Sequence, residues 1–237
     1  MNLNMNLSQR CVVDSLSLPW QTADSPLIQQ RWIERVGEAN GQGNEAGMGA
    51  MRTTRILHFA PGATLDVPLH NAEEEILVLE GRLSDEQGEY GPGLFIKNPP
   101  GSSYARVSEA GCMLFVKQRQ PDKTSHPDTR NPARIAVDTV KATWCPGLVA
   151  GLSVLPLHEF GTEHTAMVRW APETWFSSHR HYGGEEIFVV EGVFEDEHGR
   201  YPAGTWIRSP HLSQHQPFSR EGCLIFVKVG HLPETDR

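Results

Sequence analysis

The residues with the clearest chemical potential lie in SSHRHYGGEEIFVVEG, which spans positions 177–192. His179 and His181 are separated by one residue, and Glu185 follows four residues after the second histidine. Because residues i and i+2 of a β-strand project from the same face, the two imidazoles can reach one ion. Glu185 follows the turn formed by YGG and can approach from the neighbouring strand, whereas Glu186, of opposite parity, is expected to point away. The segment therefore predicts three ligands of one metal ion.

A fourth ligand has to come from another part of the chain, and RSPHLSQHQPF at 208–218 offers two histidines. His215 is the expected ligand, and His211 is its rival. Three imidazoles and one carboxylate suit zinc, iron, nickel, manganese or copper. A lone H-x-H pair could equally mark the wet face of a strand, but four residues at this spacing in two segments favour a metal site.

An internal repeat shows which elements have to position these residues. EEEILVLEGRLSDEQGEYGPG (73–93) aligns with GEEIFVVEGVFEDEHGRYPAG (184–204) at an offset of 111 residues. Further upstream, VDSLSLPW (13–20) resembles VDTVKATW (137–144) at an offset of 124. The glycine-rich stretch at 37–50 accounts for the difference and is expected to be a flexible loop.

The repeat predicts two tandem copies of one domain, at residues 1–117 and 137–237. The segment between them, 118–136, is polar, contains three prolines and reads as a linker. By the offset of 111, the first copy lacks two of the four ligands. Its residues at the four positions, in order, are Pro68, His70, Glu74 and Tyr104. The first copy is therefore not expected to hold a metal, and the histidines of the second are not explained by folding alone.

The strands of each copy are predicted from short runs rich in Val, Ile and Phe that recur every 8–12 residues. This spacing is typical of an antiparallel sandwich or barrel, so the predicted fold class is all-β. SDEQGEY and EDEHGRY indicate hairpin connections in which a glycine adopts a positive φ. The segment PLIQQRWIERV (26–36) is expected to form one short helix.

The pattern H-x-H-x₃-E-x₆-G, which runs from His179 to Gly192, resembles the first motif of the cupin superfamily. YPAGTWIRSPHLSQH resembles the second motif, with Pro202, Gly204 and the ligand His215. The similarity is closer still to the cupin domain of ChrR-type anti-sigma factors. It covers the second copy fully and the first copy well.

This resemblance implies two tandem cupin barrels of the double-stranded β-helix or jelly-roll type. It also implies one divalent metal ion in the second barrel, with zinc expected and iron, nickel and manganese as alternatives. The implied ligands are His179, His181, Glu185 and His215. The first barrel is then a structural or partner-binding copy with a degenerate site.

The function implied by the resemblance is that of a sensor or regulator of stress-responsive transcription, with a small molecule or reactive species at the metal and a protein partner. ChrR-type regulators also carry an amino-terminal helical domain with an H-x₃-C-x₂-C motif that holds the sigma factor. This sequence has no such motif, so direct sigma-factor inhibition is not expected of it. The alternative function is a metal-dependent dioxygenase or related small-molecule enzyme, and a non-catalytic scaffold or storage cupin is the third.

The composition limits the kinds of partner that the protein is expected to bind. The net charge of −8 disfavours a nucleic-acid surface, and no apolar run reaches the roughly 20 residues of a membrane span. The start of the chain lacks the pattern of a secretory signal, and four scattered cysteines form no C-x-x-C pair, so a reducing cytoplasmic location is expected. Exposed sheet edges make a homodimer an expectation as well.

Several side chains near these motifs carry their own predictions. Trp175 is expected in the core, with a wall of the metal cavity as the alternative; Tyr182 and Trp206 are weaker candidates for that wall. Cys112 and Cys223 lie in apolar runs and are expected to be buried. The remaining predictions concern solvated side chains, namely the cluster Glu73–Glu75 and the histidines His158, His164, His198 and His231.

Overall fold

The computed structural model describes residues 2–23, 25–36, 52–70, 72–120 and 133–233, and for residues 68–70 it describes the backbone alone. The predicted glycine-rich loop at 37–50 and most of the predicted linker lie outside these ranges. Within them the chain forms strands and turns without a helix, which confirms the all-β class. Accordingly, none of the described segments is a helix with the length and apolar character needed to cross a membrane.

The strands are numbered in chain order. Those that precede residue 140 are β1 Cys11–Asp14, β2 Gln21–Thr22, β3 Ile28–Val36, β4 Arg52–Phe59, β5 Ala63–His70, β6 Glu73–Gly81, β7 Leu83–Asp85, β8 Gly88–Tyr90, β9 Leu94–Asn98, β10 Ser102–Ser108, β11 Cys112–Arg119 and β12 Ile135–Asp138. Those that follow are β13 Cys145–Pro146, β14 Leu152–Phe160, β15 Glu163–Trp170, β16 Thr174–Trp175, β17 His179–His181, β18 Glu185–Asp196, β19 Gly199–Pro202, β20 Thr205–Ser209, β21 Ser213–His215, β22 Phe218–Ser219 and β23 Cys223–Val229.

The chain divides into two compact units that do not coincide with the two sequence copies. One unit is formed by Met1–Met5 and Leu18–Val140, and the other by Asn6–Ser17 and Lys141–Arg237. The opening strand of each copy therefore joins the unit built by the other copy: β1 pairs with β20 of the second unit, and β12 pairs with β9 of the first. This exchange explains why VDSLSLPW and VDTVKATW are alike, since they fill equivalent edge positions.

The first unit is a sandwich of two antiparallel sheets. Seven strands form one sheet in the order β12-β9-β6-β11-β4-β3-β2, and four form the other in the order β5-β10-β7-β8. Alternating side chains of both sheets meet in a core that includes Phe59, Ile76, Leu83, Ile96 and Leu114. Burial of such side chains is the main force that holds a sandwich of this size together.

The second unit repeats the plan with a sheet in the order β1-β20-β18-β23-β15-β14-β13, to which β16, β19 and β22 attach. Strands β17 and β21 form a separate two-stranded pair. The core includes Trp170, Ile187, Val189, Phe194 and Ile225. The second unit therefore has the jelly-roll form predicted for it, with one short strand pair set apart from the main sheet.

The helix predicted for residues 26–36 is wrong, because Ile28–Val36 forms strand β3 and pairs with β4 along its length. A bulge interrupts this pairing between Trp32 and Glu34. The bulge places Ile33 and Glu34 next to each other in the interior, so the buried positions lose the period of two that marks a strand. The spacing of the buried residues in this segment therefore resembles that of a helix.

Both predicted hairpins exist, but their glycines differ. Gly88 has a φ of 152°, whereas Gly199 lies outside the left-handed region, so the predicted positive φ is wrong there. The turn of the second hairpin is capped by Asp196, whose Oδ1 accepts hydrogen bonds from the backbone N–H groups of His198 and Gly199 at 2.8 and 3.1 Å. Asp85 caps the first turn in a similar way by accepting from the backbone N–H of Gln87 at 2.9 Å, so the difference between the glycines does not come from the cap.

Candidate metal centre

The three histidines are brought together by the strand pair β17–β21. In its antiparallel register His179 lies opposite His215, and His181 lies opposite Ser213. The i, i+2 spacing then places His181 on the same face as His179. The sequence segment therefore supplies two ligands from one strand and the pairing supplies the third.

A turn of two glycines carries the chain from His181 to Glu185. Gly183 and Gly184 have φ values of 70° and 67°, in the region that residues with a Cβ rarely adopt. A Cβ on Gly183 would also lie 2.7 Å from the backbone of Gly230. The YGG sequence is thus required for β18 to begin at Glu185, directly beside the histidine pair.

The three predicted histidine ligands lie close together, and Glu185 lies beside two of them. One ring nitrogen from each of the three histidines lies within 4.8 Å of the other two, and Nε2 of His181 is 3.0 Å from Nε2 of His215. Oε2 of Glu185 is 3.5 Å from each of these two nitrogens. Donors held at 2.0–2.2 Å around a tetrahedral ion lie roughly 3.3–3.6 Å apart. The two separations from Glu185 match this spacing, and the two imidazole nitrogens lie slightly closer together than it requires.

The protonation of His179 and His181 suits the same ion. For His215, burial alone would lower the pKa, but the neighbouring Asp196 and Glu185 raise it. Burial, together with the neighbouring His215 and His179, lowers the pKa of His181 to about 3, and burial lowers the pKa of His179 as well. Nδ1 of His179 faces the carbonyl oxygen of Ser177 at 2.9 Å, which favours a proton on Nδ1 and a free lone pair on Nε2. Neutral imidazoles with free Nε2 atoms are the form that binds a metal.

The carboxylate of Glu185 is incompletely paired. Glu185 is buried, and its Oε2 has no hydrogen-bond partner. Burial raises the pKa of Glu185 to about 7 in the absence of a cation. A buried carboxylate is normally paired or coordinated, because its isolated charge is costly. A cation bound at this position would balance the charge of Glu185.

The first unit supplies a comparison, because Glu74 occupies the position of Glu185 there. Its carboxylate accepts hydrogen bonds from Arg106, from Asn98 at 2.9 Å and from Gln118 at 3.0 Å. Burial alone would raise the pKa of Glu74, but Arg106 and the hydrogen bonds lower it to about 2. The counterpart of Arg106 in the second unit is Pro217. The first unit thus supplies its glutamate with a guanidinium from its own chain, and the second unit has no arginine at the equivalent position.

A cavity of about 240 Å³ opens next to the ligands. His179, His181, Glu185 and His215 all contribute to its lining. Every other residue of the lining is Leu, Val, Ile, Pro, Phe or Trp, and examples are Leu152, Val168, Trp170, Phe176, Phe194 and Ile225. An ion held by the four ligands would therefore face an apolar chamber.

The rival histidine and the aromatic candidates take other places. His211 accepts a hydrogen bond from the backbone N–H of Gly183 at 2.8 Å and does not line the cavity. Trp175 is 46% exposed and stacks on Phe218 with ring centroids 4.1 Å apart, so it belongs neither to the core nor to the wall. Tyr182 is exposed, and Trp206 is fully buried outside the lining.

Part of the predicted solvated set is buried instead. Glu74 and Glu75 lie in the interior of the first unit, His158 is buried in the second, and the ring of His231 is enclosed 3.1 Å from Glu186. The rings of His164 and His198 are about half exposed, as expected. Ion pairing explains the errors for the glutamates. Lys97 on the neighbouring strand pairs with Glu75, and Arg106 of the other sheet pairs with Glu74, so charges that look solvated in the sequence are neutralised in the interior.

The predicted burial of Cys112 and Cys223 is confirmed. Burial raises the pKa of both thiols, to about 12 for Cys223, so neither is a reactive thiolate.

The search against solved structures supports the fold. A candidate dioxygenase from Nostoc punctiforme is 14% identical with a TM-score of 0.70 and covers 94% of this chain and 82% of its own. Protein YlbA from E. coli is 11% identical with a TM-score of 0.68, covering 98% and 95%. A deletion mutant of oxalate decarboxylase OxdC from Bacillus subtilis is 12% identical with a TM-score of 0.63, covering 92% and 76%. At these identities the likeness establishes the fold alone.

Sequence comparison is more specific. No curated protein sequence matches the chain. The sequence model of the ChrR cupin-like domain matches twice, over residues 8–122 and 132–233. The two matches cover both repeats, including the segments that carry His179, His181, Glu185 and His215. The chain therefore belongs to the ChrR cupin-like domain family and contains two copies of that domain.

Proposed function

We propose that the second unit holds one divalent metal ion at His179, His181, Glu185 and His215, and that the ion binds a small molecule in the adjoining cavity. The observation that carries this proposal is the contrast between two equivalent glutamates. Glu74 has the guanidinium of Arg106 against it, whereas Glu185 is equally buried and has an oxygen without a partner. Three imidazoles beside that carboxylate form a donor set that suits a divalent metal ion as the balancing cation.

The protein's own groups define what the site can accept. The lining contains no Lys, Arg, Asn or Gln, so a second charged group on the bound molecule would find no partner there. The favoured ligand is therefore a compact, largely apolar molecule whose single chelating end, such as two adjacent oxygens, meets the metal. The apolar wall would bind its remaining surface and exclude water.

Metal-assisted transformation of such a molecule, of the dioxygenase type, is the function that this geometry supports best. When bound, the metal ion would supply a Lewis acid and, if it is iron, a site for oxygen. The ligand set itself accommodates iron, zinc, nickel and manganese, so the ion has to be identified by measurement.

A sensing role is the second candidate, and the family match over both repeats favours it. In that role the same metal would be zinc, and a small molecule or reactive species at the site would change the binding of a protein partner. Both functions use the same pocket, but only the enzymatic function converts the bound molecule into a product.

Elemental analysis of the protein purified without added metal is the first test, with His179→Ala/His181→Ala as the comparison. One equivalent of metal in the wild type, lost in the variant, is expected. Equal metal in both proteins would contradict the site. The loaded wild type is then tested for oxygen consumption with chelating, apolar compounds; binding without turnover would move the assignment to sensing.

A further inference from the structure

We propose that Asp196 holds His215 in the form that binds metal, and that Arg10, from the opening segment of the chain, holds Asp196 in place. Both are positioning residues, since neither reaches the four ligands' meeting point. The inference rests on the proposed metal site in the second unit and concerns what tunes its affinity.

The two ring nitrogens of His215 face different partners. Nε2 lies 3.0 Å from Nε2 of His181 and 3.5 Å from Glu185, at the point where the ligands converge. Nδ1 lies 3.6 Å from Oδ2 of Asp196. A carboxylate on that side favours a proton on Nδ1, which leaves the lone pair of Nε2 for the ion and makes that nitrogen a stronger donor.

The carboxylate of Asp196 is itself fixed on several sides. Arg10 donates a hydrogen bond from Nη2 to Oδ2 at 2.7 Å and another to the hydroxyl oxygen of Tyr201 at 2.8 Å. The hydroxyl of Tyr201 in turn donates to Oδ1 of Asp196 at 2.8 Å. Asp196 is almost fully buried, so water does not compete strongly for these contacts. Its orientation toward His215 therefore depends on Arg10.

Arg10 stands directly before strand β1, which pairs with β20 in the second unit. The metal site of the carboxyl-terminal copy is thus supported by a residue that the sequence places in the amino-terminal copy. The exchange of opening strands gives the site this dependence.

The first unit contains counterparts of the trio Arg10, Asp196 and Tyr201, but not of the histidine. Arg134 donates to Oδ2 of Asp85 at 2.6 Å, and the hydroxyl of Tyr90 donates to Oδ1 of Asp85 at 2.8 Å. Tyr104 stands where the second unit has His215. The trio accordingly serves the hairpin in both units, and a role toward a ligand can exist in the second unit alone. Each residue of the trio has a matched control in the same chain.

The test compares Asp196→Asn with Asp85→Asn in the full chain. Asparagine preserves the size of the side chain and its capping of the hairpin turn, so both variants should lose similar thermal stability as metal-free proteins. Zinc affinity is measured by competition with a chromophoric chelator, and the visible spectrum of the cobalt form reports the ligand geometry. Asp196→Asn should weaken zinc binding by about 10- to 100-fold and alter the cobalt spectrum. Asp85→Asn should leave the zinc affinity within about twofold of the wild-type value and the cobalt spectrum unchanged.

The outcomes distinguish a failure of the metal site from a failure of the positioning role. A wild type that binds no zinc or cobalt would remove the metal site itself. A wild type that binds one equivalent, beside an Asp196→Asn variant of unchanged affinity, would overturn the positioning role alone, as would equal losses in both variants. If Asp196→Asn fails to fold, Arg10→Gln and Arg134→Gln form the second pair. Weaker zinc binding is expected in Arg10→Gln alone, and equal affinities in that pair would overturn the proposal.

Discussion

Glu74 and Glu185 occupy the same place in the two units, yet their carboxylates are balanced in different ways. Arg106 donates to both oxygens of Glu74, and the pair is almost completely excluded from water. Glu185 instead has His181 and His215 at 3.5 Å, and its Oε2 has no hydrogen-bond partner. The first unit therefore balances this charge with a guanidinium, whereas the second unit places two imidazoles beside it.

Removing the two charges should affect stability with opposite signs. Glu74→Gln leaves Arg106 as a buried charge without its counter-ion, and we expect a loss of about 3–5 kcal/mol in the free energy of unfolding. Glu185→Gln removes a buried carboxylate that has an unpartnered oxygen, so the metal-free protein should gain about 1 kcal/mol. Chemical denaturation in the presence of a chelator measures both. Losses of similar size in the two variants would contradict the distinction between the units.

The acid stability of the first unit should depend on Glu74. Its pKa is about 2 in the folded unit against 4.5 as the ordinary value, so the carboxylate stabilises the fold at pH values above 4.5. That contribution is lost as the pH falls from 4.5 toward 2, because the unfolded chain binds the proton first. The loss amounts to about 3 kcal/mol. Unfolding of the wild type is compared with that of Glu74→Gln at pH 5 and pH 3. The difference between the two proteins should shrink at the lower pH, and a constant difference would contradict the assignment.

Much of the candidate site could be predicted because its geometry is local. The parity of His179 and His181, and the short turn to Glu185, depend on residues that are adjacent in the sequence. His215 lies further away but belongs to a recognisable second segment. Nothing local marks Arg106 as the partner of Glu74, which is 32 residues distant. The repeat shows that Pro217 replaces it, but a replacement alone does not reveal a lost ion pair.

The errors in the fold have the same origin in long-range contacts. The bulge between Trp32 and Glu34 is visible only once β3 is paired with β4. The similarity of VDSLSLPW to VDTVKATW establishes that β1 and β12 are equivalent, but not which sheet each strand joins. For this reason the sequence did not reveal the roles of Arg10 and Asp196. Their counterparts, Arg134 at the offset of 124 and Asp85 at the offset of 111, were nevertheless present in the sequence.

Metal binding should stabilise the second unit specifically. Zinc at about 1,000 times its Kd adds about 4 kcal/mol to the folded state, which corresponds to a rise in Tm of about 10 °C or more for a domain of this size. Calorimetry of the metal-free protein with and without zinc should show this rise in one transition. His179→Ala/His181→Ala should show none, whereas His70→Ala, the matched change in the first copy, should retain it. A rise that survives in the double variant would place the zinc elsewhere.

The cavity should discriminate between two chelating probes of different character. Catechol offers two adjacent oxygens and an apolar ring, whereas oxalate offers two carboxylates and no apolar surface. Because the lining beyond the ligands is apolar, we expect the iron-loaded protein to bind catechol at least tenfold more tightly than oxalate, as measured by the charge-transfer band and by its displacement. Val168→Phe narrows the cavity and leaves every ligand residue in place, so it should keep one equivalent of iron and lose catechol binding. Catechol binding of wild-type strength in this variant would show that the molecule reaches the metal by another route.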